Sequence, residues 1–138
     1  MRNNPREFLL SVHRQHVKAW EQRNLENLRS LYAEEAVVFN TAPPARFPDF
    51  KTFENNLQQY FSQIREVSIL TSNIQIEVHG EVACVTSQYL MVYHRNGDLL
   101  RQNGRWTEIY RQHKDGGDWK LIHFHSSPDP SERLEDKK

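Results

Sequence analysis

Glu108 is the residue of this sequence that is best placed to do chemistry. It lies between Trp106 and Tyr110, and strand alternation puts the three side chains on one face. A carboxylate among aromatic rings is desolvated, so we expect its pKa to rise. Such a group could act as a general acid or base, or hold a ligand hydroxyl. Alternatively, Glu108 pairs with a cation such as Lys51 or points out of a twisted strand end.

Two pairs of histidines have spacings that zinc or iron sites use. His123 and His125 lie two apart on a predicted strand, and His13 and His16 lie three apart on a predicted helix. We expect the strand pair on the face opposite Glu108, towards a dimer partner, and the helix pair towards the sheet or water. The two pairs should therefore not converge. We predict no metal and no cofactor, with histidines that form hydrogen bonds in the core or interface.

Other reactive side chains favour structural roles. Cys84 is the only cysteine, and nothing near it in sequence would stabilise a thiolate. Ser127 has neither an adjacent base nor a glycine elbow. Arg105 could bind a ligand anion, but a ladder arginine more often pairs with a carboxylate across the strands. No glycine-rich phosphate loop is present.

Several aromatic residues could stack on a flat ligand or simply fill the core. A small domain must fill its volume with whatever rings it has, so we expect most of them to be core. The hydroxyl groups of Tyr32 and Tyr89 still need partners, which a pocket water or a ligand would supply. The five rings are Trp20, Tyr32, Phe39, Tyr60 and Tyr89.

Three helices are predicted in the first half of the chain. Apolar residues recur at helical spacing from Pro5 to Gln22, and Pro5 suits a first turn. Asn24 can cap a second, shorter helix that ends near Glu34, before a short strand that ends at Phe39. A proline-containing loop follows, and Asp49 caps the third helix.

The second half of the chain predicts about four long antiparallel strands. Asn96-Gly97 is a strong hairpin signal, and Asp115-Gly116-Gly117-Asp118 predicts a second tight turn. Helices that precede such a meander define an α+β fold, with a cone-shaped curved sheet wrapped around the helices and a pocket at the open mouth. The outer face would be costly to leave in water, so we predict at least a homodimer. The strands span 67–78, 82–93, 106–113 and 119–126.

Composition bounds the remaining possibilities. The 138 residues fit one domain, over residues 1–130, with a charged and frayed tail at 131–138. Eighteen basic and eighteen acidic residues balance, so no global field would attract nucleic acid or an anionic membrane. No apolar run has membrane length. We expect a cytoplasmic protein that binds neither nucleic acid nor membrane.

Several short matches, in order along nearly the whole chain, resemble one known superfamily. They comprise Asp49-Phe50 with Phe53, Ala83-Cys84 in a long strand, Thr107 beside Glu108, and Trp119 leading into Ile122-His123-Phe124-His125 with Ser127 beyond. The chain resembles the nuclear transport factor 2-like superfamily, in particular its SnoaL-like members. Its C-terminal stretch is similar to the association, or hub, domain of calcium/calmodulin-dependent protein kinase II.

This resemblance implies a cone-shaped, self-associating domain with a deep pocket. Hub pockets hold arginines that take a carboxylate, and those positions correspond here to Tyr89, Glu108 and Ser126, while a pocket-side histidine corresponds to Lys51. Ketosteroid isomerases of the superfamily carry an acid near the position of Asn40, where this chain has none. An acidic residue of SnoaL-type cyclases loosely matches Glu108.

Three functional hypotheses follow. The leading one is a small-molecule-binding, self-associating SnoaL-like domain with an unknown ligand. The second is a cofactor-independent isomerase, cyclase or hydratase with Glu108 as acid or base. The third is an oligomerisation hub for a partner protein. Apart from Glu108 as the catalytic candidate, the candidate ligand-binding residues are Trp20, Tyr32, Asn40, Lys51, Tyr89, Tyr110, Phe124 and Ser126.

Overall fold

The computed structural model describes residues 4–40, 44–113 and 117–134, which form three helices and seven strands. The fold is α+β, as predicted. In chain order the elements are α1 (Pro5–Glu21), α2 (Leu25–Leu31), β1 (Tyr32–Phe39), β2 (Arg46–Phe47), α3 (Phe50–Phe61), β3 (Ile64–His79), β4 (Val82–Arg95), β5 (Asp98–Gln112), β6 (Trp119–Pro128) and β7 (Glu132–Arg133).

The predicted helix caps are confirmed. Pro5 opens α1, the side chain of Asn24 accepts from the backbone N–H of residue 27 at 2.9 Å, and that of Asp49 accepts from residue 52 at 2.9 Å. These bonds satisfy amides that have no partner inside a helix. The predicted end of α2 near Glu34 is wrong. The helix ends at Leu31 because the next residue is already extended and begins β1.

The sheet has the strand order β2-β1-β6-β5-β4-β3, with β7 paired to β5. The four long strands are antiparallel as predicted, and the Asn96-Gly97 turn joins β4 and β5 with φ of 53° and 83°. In contrast to the prediction, β1 pairs with β6 in parallel, so the sheet is mixed. The second predicted turn, at 115–118, and the start of the proline loop, at 41–43, lie largely outside the described residues.

A register shift in β6 alters the predicted alternation. Strict alternation would put Leu121 on the same face as His123 and His125, but its side chain is fully buried opposite Tyr110. The pairing steps from Ile109 with His123 to Tyr110 with Leu121, which leaves one extra residue in β6. An extra residue of this kind reverses which face the preceding side chains occupy. Both halves of β6 therefore contribute side chains to the core.

The core lies between the helices and the inner face of the sheet. The inward side chains of β4, β5 and β6 pack against α1 and α3 in one continuous cluster. Within the predicted tail, Glu132 and Arg133 pair with β5, whereas residues 135–138 fall outside the described part. Among the described helices, none is both long and apolar enough to cross a membrane.

Candidate functional site

Glu108 is the centre of a buried polar cluster. It lies in the C-terminal third of β5, paired with Phe124 of β6, and none of its surface is exposed. Each carboxylate oxygen contacts a different imidazole, with Oε1 2.6 Å from His13 Nδ1 and Oε2 2.5 Å from His16 Nδ1. Oε2 also accepts from the Tyr110 hydroxyl at 3.0 Å. The carboxylate is therefore held by three side chains from two elements.

The helical repeat of α1 explains how both histidines reach one carboxylate. His13 and His16 lie one turn apart on the buried face of the helix, in line with Leu9 and Trp20. Side chains three apart on a helix lie side by side, so the two Nδ1 atoms sit over the two oxygens of Glu108. Of the two orientations that the sequence left open, towards the sheet or towards water, the structure has the one towards the sheet.

A second ring of hydroxyl groups completes the cluster. His13 Nε2 lies 3.0 Å from Thr71 Oγ1, and His16 Nε2 lies 2.6 Å from the Tyr32 hydroxyl. When each Nδ1–H donates to the carboxylate, each Nε2 can accept from its hydroxyl. All four ring nitrogens then have a partner, as buried polar groups require. Within the described ranges, no set of three or more His, Cys, Asp and Glu side chains is arranged to hold a metal ion.

The electrostatics of Glu108 differ from the prediction. Burial alone would raise its pKa, but hydrogen bonds from His13 and His16 and their electrostatic attraction lower the pKa to about 2. The expected rise is therefore wrong, because the sequence pattern revealed the aromatic neighbours and not the two imidazoles. Burial, reinforced by the negative charge of Glu108, raises the pKa of Tyr32 and Tyr110 well above their ordinary value. Both phenols remain protonated donors.

A separate cavity lies at the open mouth of the cone. Its volume is about 180 Å³, and aromatic and aliphatic side chains from α1, α3, β3, β4 and β5 form most of its wall. Polar groups occur at intervals around the wall. The lining residues are Trp20, Asn40, Asn56, Leu57, Tyr60, Ile69, Tyr89, Met91, Tyr93, Arg95, Gln102, Trp106, Ser126, Pro128 and Ser131.

The sequence-predicted site residues fall into three groups. Four of them line the cavity together: Trp20, Asn40, Tyr89 and Ser126. Three others, together with the predicted catalytic Glu108, belong to the buried cluster and its packing: Tyr32, Tyr110 and Phe124. Lys51 is exposed on α3 and lines a second surface pocket, of about 490 Å³, together with Tyr32 and Phe50, so it is not the partner of Glu108.

The Trp106 ring separates the cluster from the cavity. Its centroid lies 5.3 Å from the His16 ring on one side and 5.4 Å from the Tyr89 ring on the other. Trp106 lines the cavity, and Glu108 is not among the lining residues. A molecule in the cavity would therefore touch Trp106 and not the carboxylate.

Sequence reasoning missed several residues of the cavity wall. Arg95 is the only charged residue in the described part of the wall, and Asn56 and Gln102 add amides. A signal for Arg95 was present, because it continues the period-two series of Tyr89, Met91 and Tyr93 along β4. The amides lay outside any recognisable pattern.

The outer face of the sheet carries the second pair of histidines. Phe39 packs against His123 and His125, with ring centroids 5.1 and 5.7 Å away, on the side opposite Glu108 as predicted. Burial and the nearby His125 lower the pKa of His123. Arg105 pairs with Asp129 at 3.0 Å, which confirms the ladder ion pair.

Helices packed into a curved sheet with a cavity at its mouth define a class of cone-shaped pocket proteins. Residues 9–130 match the SnoaL-like domain. The chain therefore belongs to the SnoaL-like domain family, and it has the fold of nuclear transport factor 2-like proteins. No curated protein matches it significantly.

Solved structures of low sequence identity share the fold. A superfamily protein from Salmonella enterica serovar Typhimurium aligns with a TM-score of 0.79 at 14% identity, covering 88% of each chain. The hexachlorocyclohexane dehydrochlorinase LinA-type3 from Novosphingobium barchaimii gives 0.82 at 11% identity, covering 94% of this chain and 89% of that one. An NTF2-like protein from Cytophaga hutchinsonii gives 0.74 at 16% identity, covering 91% and 98%.

Proposed function

We propose that this protein binds a small, flat organic molecule in the cavity at the mouth of the cone. One observation carries the proposal: the cavity places two indole rings, Trp20 and Trp106, and the phenol of Tyr89 around an open space with hydroxyl and amide groups between them. Ligand sites commonly combine apolar walls with a few convergent polar groups in this way. Aromatic walls favour a ligand with a ring of its own.

The size of the cavity limits the ligand. A volume of about 180 Å³ is close to that of engineered protein cavities of about 150 Å³ that bind benzene. The ligand should therefore have one or two fused rings with small polar substituents. A steroid-sized molecule would extend out of the mouth.

In this proposal Glu108 positions other side chains and does not touch the ligand. Its charge anchors His13 and His16, and the His16 ring supports Trp106 from behind. The alternative is an isomerase, cyclase or hydratase with Glu108 as acid or base, and a dehydrochlorinase is among the proteins of similar fold. That mechanism would require the Trp106 ring to leave its place, because the ring stands between Glu108 and the cavity. Binding without chemistry requires no such movement.

A matched pair of variants tests the pocket. Ser126 lines the cavity, whereas Ser127 is the next residue along β6 and lies on the other face. The Ser126→Phe substitution should fill the cavity, and Ser127→Phe should leave it open. Isothermal titration with neutral two-ring probes such as 2-naphthamide should give binding to the wild type and to Ser127→Phe, and none to Ser126→Phe. Equal binding to both variants would remove the cavity from consideration.

We also propose that the protein self-associates in the cytoplasm through the outer face of the sheet. Two large apolar side chains of the sheet are exposed, Phe39 by 37% and Leu70 by 68%. Exposed apolar side chains of this kind support burial of the face against another copy of the chain. A homodimer would cover this face. The kinase hub resemblance predicts larger rings instead, and sedimentation velocity distinguishes the two by mass. A monomer at micromolar concentration would contradict both.

A further inference from the structure

The cavity wall carries one unbalanced positive charge. Among the residues that the structure describes, Arg95, at the end of β4, is the only charged one that lines it, and no acidic side chain does. Glu108, the one buried acid among the described residues, is not among the lining residues, and both of its oxygens are hydrogen-bonded to histidines. The cavity should thus favour anions over neutral molecules, and neutral molecules over cations.

Arg95 lacks the acidic partner that the arginines of the neighbouring strand β5 have. Among the described residues, the ion pairs include none that involves Arg95. By contrast, three arginines of β5 each pair with a carboxylate: Arg101 with Glu132, Arg105 with Asp129 and Arg111 with Glu35.

Neutral contacts hold the Arg95 guanidinium in place. Nη2 donates to Gln63 Oε1 at 2.6 Å, and the guanidinium carbon lies 5.9 Å from the centre of the Tyr60 ring. A glutamine and a phenol face fix the orientation of the group without cancelling its charge. The remaining N–H groups are then available to an anion, and a planar fork of donors matches a carboxylate best.

Building on the proposed function, we propose that the ligand is a small aromatic carboxylate, with its acid group bound by Arg95 and its ring against the wall that Trp106 and Tyr89 form. The aromatic wall and the guanidinium belong to one cavity, so a single rigid molecule can reach both. The side-chain oxygen of Gln102 on the same wall can accept from a further ring substituent, whereas its amide nitrogen already donates to the Asp129 carbonyl and to Ser131 Oγ.

Three probes of the same shape and different charge test this assignment. They are 2-naphthoate, 2-naphthamide and 2-naphthamidine, which carry charges of minus one, zero and plus one. By isothermal titration, wild-type protein should bind the acid about tenfold more tightly than the amide, as a charge-assisted hydrogen bond allows, and the amidine least. Added salt should weaken binding of the acid and leave the amide unchanged.

Variants then locate the charge. Arg95→Gln should bring the acid-to-amide ratio to about one, because a neutral amide group replaces the cation. Arg111→Gln removes an exposed arginine outside the cavity and should keep the wild-type ratio. Circular dichroism on both variants establishes that they are folded, and the charge series on the wild type needs no variant at all.

The outcomes separate this inference from the proposal on which it rests. Equal binding of acid and amide by the wild type, or a ratio that survives Arg95→Gln, would overturn the carboxylate assignment while leaving the pocket proposal intact. If the wild type binds none of the three probes, and Ser126→Phe behaves like the wild type, the pocket itself is refuted.

Discussion

Replacing Glu108 with glutamine tests the buried cluster most directly. The substitution keeps the shape of the side chain and removes its charge. Both His13 Nδ1 and His16 Nδ1 contact the carboxylate oxygens, but a glutamine amide offers one acceptor and one donor group. One histidine must therefore lose its bond or change tautomer, which also disturbs the contact of its Nε2 with Thr71 or Tyr32.

The expected loss of stability follows from the pKa of Glu108. In the folded protein it is about 2, against an ordinary value of 4.5. At about 1.4 kcal/mol per pKa unit, charged Glu108 stabilises the fold by about 3 kcal/mol at neutral pH. Removing one member of a buried ionic group costs about 3–5 kcal/mol in other proteins, which is the same range. We therefore expect Glu108→Gln to lower the free energy of unfolding by about 3 kcal/mol.

The sign of the pH dependence follows from the lowered pKa. A carboxylate whose folded pKa is below its unfolded value contributes its full stabilisation above the unfolded value, here 4.5. The contribution is lost as the pH falls from 4.5 towards 2. The difference in unfolding free energy between wild type and Glu108→Gln should thus be largest at pH 7 and shrink through this window.

Urea unfolding followed by circular dichroism measures both quantities. Glu77→Gln is the matched control, because Glu77 lies on β3 with a 72% exposed side chain and should contribute little. A Glu108→Gln variant as stable as the control at pH 7 would refute the account of the cluster. So would a wild-type to variant difference that stays constant as the pH falls from 5 to 3.

Two further predictions concern the cavity and the outer face. A Cβ atom on Gly104 would lie 2.5 to 2.7 Å from the Tyr89 side chain, so Gly104→Ala should displace that ring. The free energy of unfolding, measured in urea, should fall by about 1–3 kcal/mol. Binding of 2-naphthamide, measured by calorimetry, should become weaker. Unchanged probe affinity would show that the ring does not shape the site. Phe39→Glu places a charge on the exposed apolar surface of the sheet and should give a monomer in sedimentation velocity. A dimer that persists in this variant would show that the interface does not include Phe39.

Local chemistry made much of the fold predictable. Asn24 and Asp49 cap their helices with side-chain oxygens a few residues from the amides they satisfy, so short sequence windows contain the whole signal. Asn96-Gly97 likewise adopts the positive φ values that its residue types favour. Of the four predicted residues that line the cavity, Trp20 and Tyr89 were candidates as aromatic rings, whereas Asn40 and Ser126 came from the resemblance to the superfamily.

The features that sequence reasoning missed are non-local. His13 and Glu108 are 95 residues apart in the chain, and only the packing of α1 across the sheet brings them together. Sequence periodicity places His13 and Glu108 on the inner faces of their elements. It does not give the position of a helix along the sheet on which it packs. The inward orientation of Leu121 was missed for the same reason, because the register shift that causes it depends on how β5 and β6 pair. The parallel pairing of β1 with β6 likewise joins distant segments.

Because of the position of Trp106, ligand binding in the cavity can depend on the buried Glu108 cluster without any contact between the two. Its ring packs on His16 behind and on Tyr89 in front, so a loosened histidine changes the wall of the cavity. Weaker ligand binding by Glu108→Gln would therefore not identify Glu108 as a ligand contact. The charge series distinguishes the two cases. If Glu108 acts only by supporting Trp106, 2-naphthoate and 2-naphthamide should lose affinity by the same factor, because both stack on the same ring. If the carboxylate faces the ligand, its removal should favour the anionic probe over the neutral one.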